Sequence, residues 1–251
     1  MTPVATTARG TEATRLHWRG QQQIQRATAQ TVRELWPLLL KELAGTASED
    51  RDWLTQTAIA LMMLRAQSAA LGATYWRAYA LAETGRQVLF TPPPPTADTV
   101  SALRDSLIDR GPIMRNRLRA AGQPAAADDA SLKATIGSAQ RHVIAGGRDA
   151  VVAATDTDPA VKGWRRLPNG DTCPFCLMLV DRGAVYSKDT ARFAAHDWCD
   201  CMAEPAFDSG RPVSEVAQRA SKRQQDADDR AYVRAWLAEH GARATAEHAV
   251  T

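Results

Sequence analysis

No run among the 251 residues approaches the roughly 18 uninterrupted apolar residues that a membrane span requires, so the sequence predicts no integral membrane protein. The N-terminal stretch MTPVATTARGTEATR lacks the apolar core and the cleavage site of a secretory signal, and we therefore expect no export. Neither sign of charge dominates, since 31 basic residues stand against 28 acidic ones. That balance is too even to indicate nucleic acid as a partner by itself. The hydrophobic fraction of 45% is ample for one large domain or two small ones.

Lysine and cysteine are both scarce. Only five of the basic residues are lysine, which leaves 26 arginines, and 47 residues are alanine. Because alanine and arginine are strong helix formers, this composition favours a mainly helical fold. The four cysteines all lie between positions 173 and 201, a clustering that scattered structural cysteines would not show.

Apolar residues recur every three or four positions in two long stretches, which predicts two amphipathic helices. The first runs from Thr11 to Leu43, and Pro37 either bends it or restarts it. The second runs from about residue 50 to residue 82. We expect the Ser48–Asp50 cluster to cap its N-terminus and Gly85 to end it.

The TPPPPT segment at residues 91–96 predicts an extended linker, because four prolines cannot join a helix or a sheet interior. A third helix is predicted from about 97 to 120, broken in two at Gly111–Pro112. A loop at 122–129 should then precede a helix over 130–155.

The pair Gly146–Gly147 lies inside the helix predicted over 130–155. It either loosens this helix or allows another element to pack closely against it.

Short segments rich in tryptophan, glycine, proline and cysteine replace the alanine-rich helices from Pro159 to Phe207. They predict brief strands joined by turns. The strand candidates are Trp164, Val180, Val185 and Tyr186, and the turn candidates are Asn169–Gly170 and Arg182–Gly183. A last helix is predicted from Pro212 to about His240.

The cysteines belong to one motif with the spacing C-x2-C-x19-H-x2-C-x-C. Its five members are Cys173, Cys176, His196, Cys199 and Cys201. Two pairs of soft ligands separated by a loop of this length suit a tetrahedral zinc ion with a structural role. Five candidates exist for four positions, and the spacing leaves open which four bind.

Other chemistries fit the same residues less well. A disulfide pair is the main alternative, and the lack of an export signal disfavours it; unliganded buried thiols are the next alternative. A glutaredoxin-like redox motif needs a strand before C-P-F-C and a long helix after it, which Gly183 interrupts. The zinc deaminase pattern is missing, since His142 is followed by Val143–Ile144.

A cysteine protease would use His196 as its base, but four clustered thiols favour ligation over attack, and no oxyanion-hole signature is visible. No carboxylate pair stands at a spacing that indicates acid–base catalysis. We therefore expect no catalytic residues and no small-molecule substrate.

The sequence thus predicts a mainly α protein: long helices, a small α+β zinc-binding module near the C-terminus, and a final helix. The predicted divisions are a helical region at 1–158 with its proline linker at 91–96, a cysteine/histidine module at 159–207, and a C-terminal helix at 208–251.

The stretch GWRRLPNGDTCPFCLMLVDRGAVYSKDTARFAAHDWCDCMAEPAF resembles the C-terminal signature of phage minor head proteins of the MuF-like, head-morphogenesis type, in their actinobacterial phage form. The resemblance lies in the paired cysteines, the apolar turn with Gly183 and Tyr186, and the histidine followed by C-x-C. Asp197 stands where many relatives have proline. The resemblance implies a minor capsid protein that joins the virion during assembly in the host cytoplasm and contacts the portal or the major capsid protein.

Two alternatives to this structural role stay open. Some relatives carry the label of capsid maturation protease. A DNA-binding zinc module acting in packaging or ejection is the other alternative, with Arg165–Arg166 beside Trp164 as a candidate contact to the phosphates of packaged DNA.

Overall fold

Helix α1 spans Ala8–Leu43 in the computed structural model, which describes residues 7–46, 52–167, 193 and 195–207. The helix begins before the predicted Thr11 because Thr7 caps it: the Thr7 side chain accepts a hydrogen bond from the Gly10 N–H at 3.0 Å. Pro37 lies inside the helix and does not end it. Of the two predicted outcomes for this proline, a restart is therefore wrong.

Helix α2 spans Trp53–Thr84 and matches its prediction closely. The cap is Asp52, however, and not the Ser48–Asp50 cluster. Its carboxylate accepts from the Leu54 N–H at 3.0 Å and from the Thr55 hydroxyl. Gly85 ends the helix in the left-handed conformation, with φ 69°, as predicted.

The proline-rich stretch at 91–96 contains neither helix nor strand, as predicted, and leads into α3 at Ala97–Ile108. The predicted break at Gly111–Pro112 is wrong, because a π-helical turn at Asp109–Ile113 connects α3 to α4 at Met114–Ala120. A π turn is a common way for a helix to accommodate a proline, which lacks the N–H donor of other residues.

Helix α5 spans Pro124–Thr157, so most of the loop predicted at 122–129 is helical. Pro124 is the first residue of the helix, a position where its missing N–H costs nothing. The three alanines that follow are strong helix formers. The turn signal at Gly122, with φ 77°, makes only a short turn before the helix begins.

Helices α1, α2, α3 and α5 bury a common hydrophobic core. Two core tryptophans, Trp36 and Trp53, meet edge to face with ring centroids 6.2 Å apart. Leu61, Leu103 and Val143 are buried beside them. The mainly α fold class is therefore confirmed.

Glycines allow α2 and α5 to approach closely. A Cβ atom built on Gly72 would lie 2.6 Å from the carbonyl oxygen of Gly147. The Gly147 N–H also donates a hydrogen bond to the Ser68 hydroxyl oxygen, at 2.9 Å. Of the two predicted roles for Gly146–Gly147, close packing is the one that the structure shows.

The chain divides into two units. The described part of the helical unit comprises residues 7–46, 52–150 and 195–198. The described part of the hairpin unit comprises 151–167, 193 and 199–207. The predicted domain boundaries at 158 and 207 stay predictions.

The hairpin unit contains two antiparallel strands, β1 at Gly163–Leu167 and β2 at Met202–Ala206. The strand predicted at Trp164 is confirmed, whereas β2 was not predicted. The strands predicted at Val180, Val185 and Tyr186, both turns and the last helix lie outside the described residues. No helix in the described ranges is long and apolar enough to cross a membrane.

Candidate metal centre and its surroundings

Three of the five predicted zinc ligands lie within the described residues. Cys199 and Cys201 are buried, with 4% and 1% of their surface exposed, immediately before β2. His196 is exposed, and its Nδ1 lies 2.6 Å from the carbonyl oxygen of Asp197. Cys173 and Cys176 lie outside the described residues.

Strand β2 continues from Cys201 and carries a buried carboxylate, Glu204. Arg165 stands opposite it in the strand register and donates to its Oε1 from Nε at 2.6 Å and from Nη2 at 2.5 Å. A buried charge is tolerated only when it is paired and hydrogen-bonded. The Glu204 carboxylate is therefore a structural partner of Arg165.

The other face of β1 packs on an aromatic ring. Trp164 stacks on Phe193 with ring centroids 5.2 Å apart, and the Arg166 guanidinium lies 4.0 Å from the centroid of the same ring. Both members of the Arg165–Arg166 pair, the candidate contact to DNA, thus have partners inside the hairpin unit.

Asp197 and Trp198 belong to the helical unit, although they stand in the middle of the cysteine motif. Arg141 on α5 donates from Nε to Asp197 Oδ1 at 2.8 Å. Trp198 adopts a left-handed backbone conformation with φ 66°, and its indole lies over Gly137 of α5. Sequence reasoning missed Arg141 and Gly137, because nothing in a helical pattern marks one residue as the partner of a distant turn.

Burial keeps His142, which lies next to the Arg141–Asp197 ion pair, neutral. Desolvation, together with the positive charges of Arg141 and Arg65, lowers the pKa of His142 to about 4. The Arg141 Nη2 lies 3.2 Å from His142 Nε2, so the neutral ring accepts a hydrogen bond there. The Arg65 guanidinium donates to the main-chain oxygen of His142 and to Asp149.

The donor types fit zinc, since two buried thiols at positions i and i+2 are soft ligands of the kind that structural sites use. Among the described residues, no three His, Cys, Asp or Glu side chains group closely enough to hold a metal ion. The zinc site therefore stays a prediction, because two of its five candidate ligands, Cys173 and Cys176, lie outside the described residues.

Comparison with known proteins finds a family match over most of the chain and two relatives over a smaller part of it. Residues 8–227 match the VG15 protein family. The chain is similar to the Gene 15 protein of Mycobacterium phage D29, at 30% identity over 139 residues, covering 41% of this chain and 49% of the relative. The Gene 15 protein of Mycobacterium phage L5 is also 30% identical, over 138 residues, covering 38% of this chain and 47% of that protein. The chain thus spans about half the length of these curated relatives. No solved structure matches.

Proposed function

This chain belongs to the VG15 protein family and is a phage protein, and we propose that it is a structural minor capsid protein of a tailed phage. In this proposal it is of the MuF-like, head-morphogenesis type, enters the head during assembly in the host cytoplasm, and contacts the portal protein. The major capsid protein is the second candidate partner. No catalytic step is part of the proposal.

The observation that carries this proposal is the outer face of α2. Only three of its 32 residues are charged: Arg65, Arg77 and Glu83. The exposed side of a helix in a globular protein is normally polar or charged. Here the side that faces away from the core exposes large apolar residues, with Ile59 59%, Met63 63% and Leu81 49% exposed. Such a face is typical of a surface that another protein covers.

The second part of the proposal is the zinc ion. We propose that the thiolates of Cys173, Cys176, Cys199 and Cys201 hold it, because Cys199 and Cys201 are buried while His196 is exposed and belongs to the helical unit. Bound zinc would supply a four-coordinate crosslink in a segment whose two described strands have five residues each.

The test begins with mature virions. Quantitative mass spectrometry should find the intact chain at a fixed number of copies per particle. Co-expression with the portal protein should give a complex that survives size-exclusion chromatography. Met63→Glu should abolish this complex by placing a charge in the apolar face. Gln23→Glu is the matched control, since Gln23 is an exposed polar residue on α1 and outside this face.

Absence of the chain from virions, together with no complex with the portal or the major capsid protein, would refute the structural role. Co-expression with the major capsid protein also tests proteolysis. A shortened capsid subunit that disappears in a folded Cys176→Ala variant would replace our proposal by the maturation-protease alternative.

A further inference from the structure

We infer that Arg141 and Gly137 of α5 bind the Asp197–Trp198 turn, and that this contact positions the segment that carries Cys199 and Cys201. We call the contact of these four residues, Gly137, Arg141, Asp197 and Trp198, the α5 clamp. Its members lie in the helical unit. In this assignment the centre of the cysteine motif binds a helix and not a metal ion.

The polar half of the clamp is an ion pair whose cation has a fixed orientation. Arg141 Nε donates to Asp197 Oδ1 at 2.8 Å, while Nη2 lies 3.4 Å from Ser138 Oγ and 3.2 Å from His142 Nε2. Arg110 adds a second positive charge, with its Nη2 3.9 Å from Asp197 Oδ2. A guanidinium held by several partners loses little further entropy when it binds a carboxylate.

Both charged groups of this ion pair are partly shielded from water. The Arg141 side chain is 33% exposed and the Asp197 side chain is 25% exposed. Salt therefore screens the pair less than it screens a pair on the open surface.

The apolar half of the clamp depends on the missing side chain at position 137. A Cβ atom built on Gly137 would lie 2.5 Å from Trp198 Cε2 and 3.0 Å from Trp198 Cδ1. The indole therefore occupies the space that any other residue would fill. Trp198 also has a left-handed backbone with φ 66°, which a bulky residue adopts only where its surroundings impose it.

The clamp lies next to the proposed zinc ligands in the chain, because Cys199 directly follows Trp198. Residues that orient the ligands of a metal typically change its affinity by about 10- to 100-fold when they are mutated. The zinc part of this inference rests on the proposed function. The positioning of the thiols does not, so the two can be tested separately.

The first experiment measures thiol access in the full-length, metal-free protein. Iodoacetamide alkylation of Cys199 and Cys201 is followed by peptide mass spectrometry in wild type, Arg141→Ala and Gly137→Ala. Both variants should react faster by roughly an order of magnitude, because the segment opens more often. Alanine is a better helix former than glycine, so faster alkylation in G137A cannot come from a weaker α5.

Matched variants separate positioning from general destabilisation. Arg115→Ala removes a different ion pair of the helical unit, that with Asp128 on α5, and should leave the alkylation rates unchanged. The charge exchange Arg141→Asp with Asp197→Arg should restore protection that either single change loses. Equal alkylation rates of Cys199 and Cys201 in R141A, G137A and R115A would refute the proposed role of the clamp.

The second experiment measures zinc affinity by competition with a chromophoric chelator. R141A should bind zinc about 10- to 100-fold more weakly than wild type, and R115A should bind it equally well. Equal affinity in R141A and wild type would overturn the role of the clamp in metal binding. If wild type binds no zinc, the proposed metal site fails, and the alkylation rates alone decide for or against the clamp.

Discussion

His17 on α1 lies face to face with Tyr75 on α2, with ring centroids 4.5 Å apart and the planes inclined by 12°. The imidazole is buried, and its Nδ1 has no hydrogen-bond partner among the described residues. The Tyr75 hydroxyl lies 3.0 Å from the Thr14 hydroxyl. Burial lowers the pKa of His17 to about 4, against a smaller opposite effect of a hydrogen bond with the Leu71 backbone.

This stacked pair predicts that acid destabilises the helical unit. Between pH 6.5 and about 4 the unfolded chain binds a proton at His17 that the folded chain does not. The free energy of unfolding should therefore be highest above pH 6.5 and should fall by up to about 3 kcal/mol as the pH drops to about 4.

His17→Phe keeps an aromatic ring on Tyr75 and removes the titration. Urea denaturation across this pH range should show that H17F loses less stability on acidification than wild type. The difference between the two proteins isolates His17, because His142, whose pKa is also lowered to about 4, titrates in both. An identical loss in H17F and wild type would contradict the assignment.

The close approach of α2 and α5 predicts that Gly72 does not tolerate a methyl group. An added Cβ would meet the backbone oxygen of Gly147 at 2.6 Å, and backbone cannot move aside as a side-chain end can. We expect Gly72→Ala to lower the free energy of unfolding by about 1–3 kcal/mol. Chemical denaturation measures the change.

Gly20→Ala is the control for this substitution, because both glycines lie inside long helices. The atoms nearest to a Cβ at Gly20 are the terminal carbons of Leu71, which a rotamer change can move. G20A should therefore cost clearly less than G72A. If the two variants lose equal stability, the backbone contact does not limit the packing of α2 on α5.

The proposed four-thiolate site predicts different outcomes for neighbouring motif residues. Cys201→Ser should reduce the zinc content to well below one ion per chain, because a buried thiolate is lost. His196→Ala should keep about one ion per chain. Elemental analysis of protein purified without chelator measures both.

Retention of zinc in C201S with loss in H196A would replace the four-cysteine set by one that includes the histidine. Wild-type protein with far less than one zinc ion per chain would refute the site altogether.

The helices of this protein were largely predictable because local sequence determines them. The apolar spacing located α1 and α2, and Gly85 was correctly predicted to end α2. The start of α5 was not predicted, because Gly122 signals a turn there. The strong helix formers that follow Pro124 nevertheless make that stretch helical.

Strand β2 and the α5 clamp could not be predicted from local pattern. The sequence MAEPA contains a proline and no β-branched residue, so it has little strand propensity. It is a strand because β1 pairs with it, placing Trp164 opposite Pro205. Arg141 and Asp197 are 56 residues apart, and no helical or strand period relates residues at that distance.

The pairing of β1 with β2 leads to the last prediction, on the buried carboxylate. Glu204 is 3% exposed and receives two hydrogen bonds from Arg165. Glu204→Gln removes the charge that balances this guanidinium, whose side chain is 22% exposed, so we expect a cost of about 1.5–3 kcal/mol to the hairpin. The double variant Arg165→Met with Glu204→Leu removes both charges together and should be clearly more stable than E204Q.

Hydrogen–deuterium exchange of the β1 amides measures the stability of the hairpin itself, which a global melting curve of a two-unit chain does not. Exchange in E204Q as slow as in wild type would show that this ion pair does not stabilise the strand pairing.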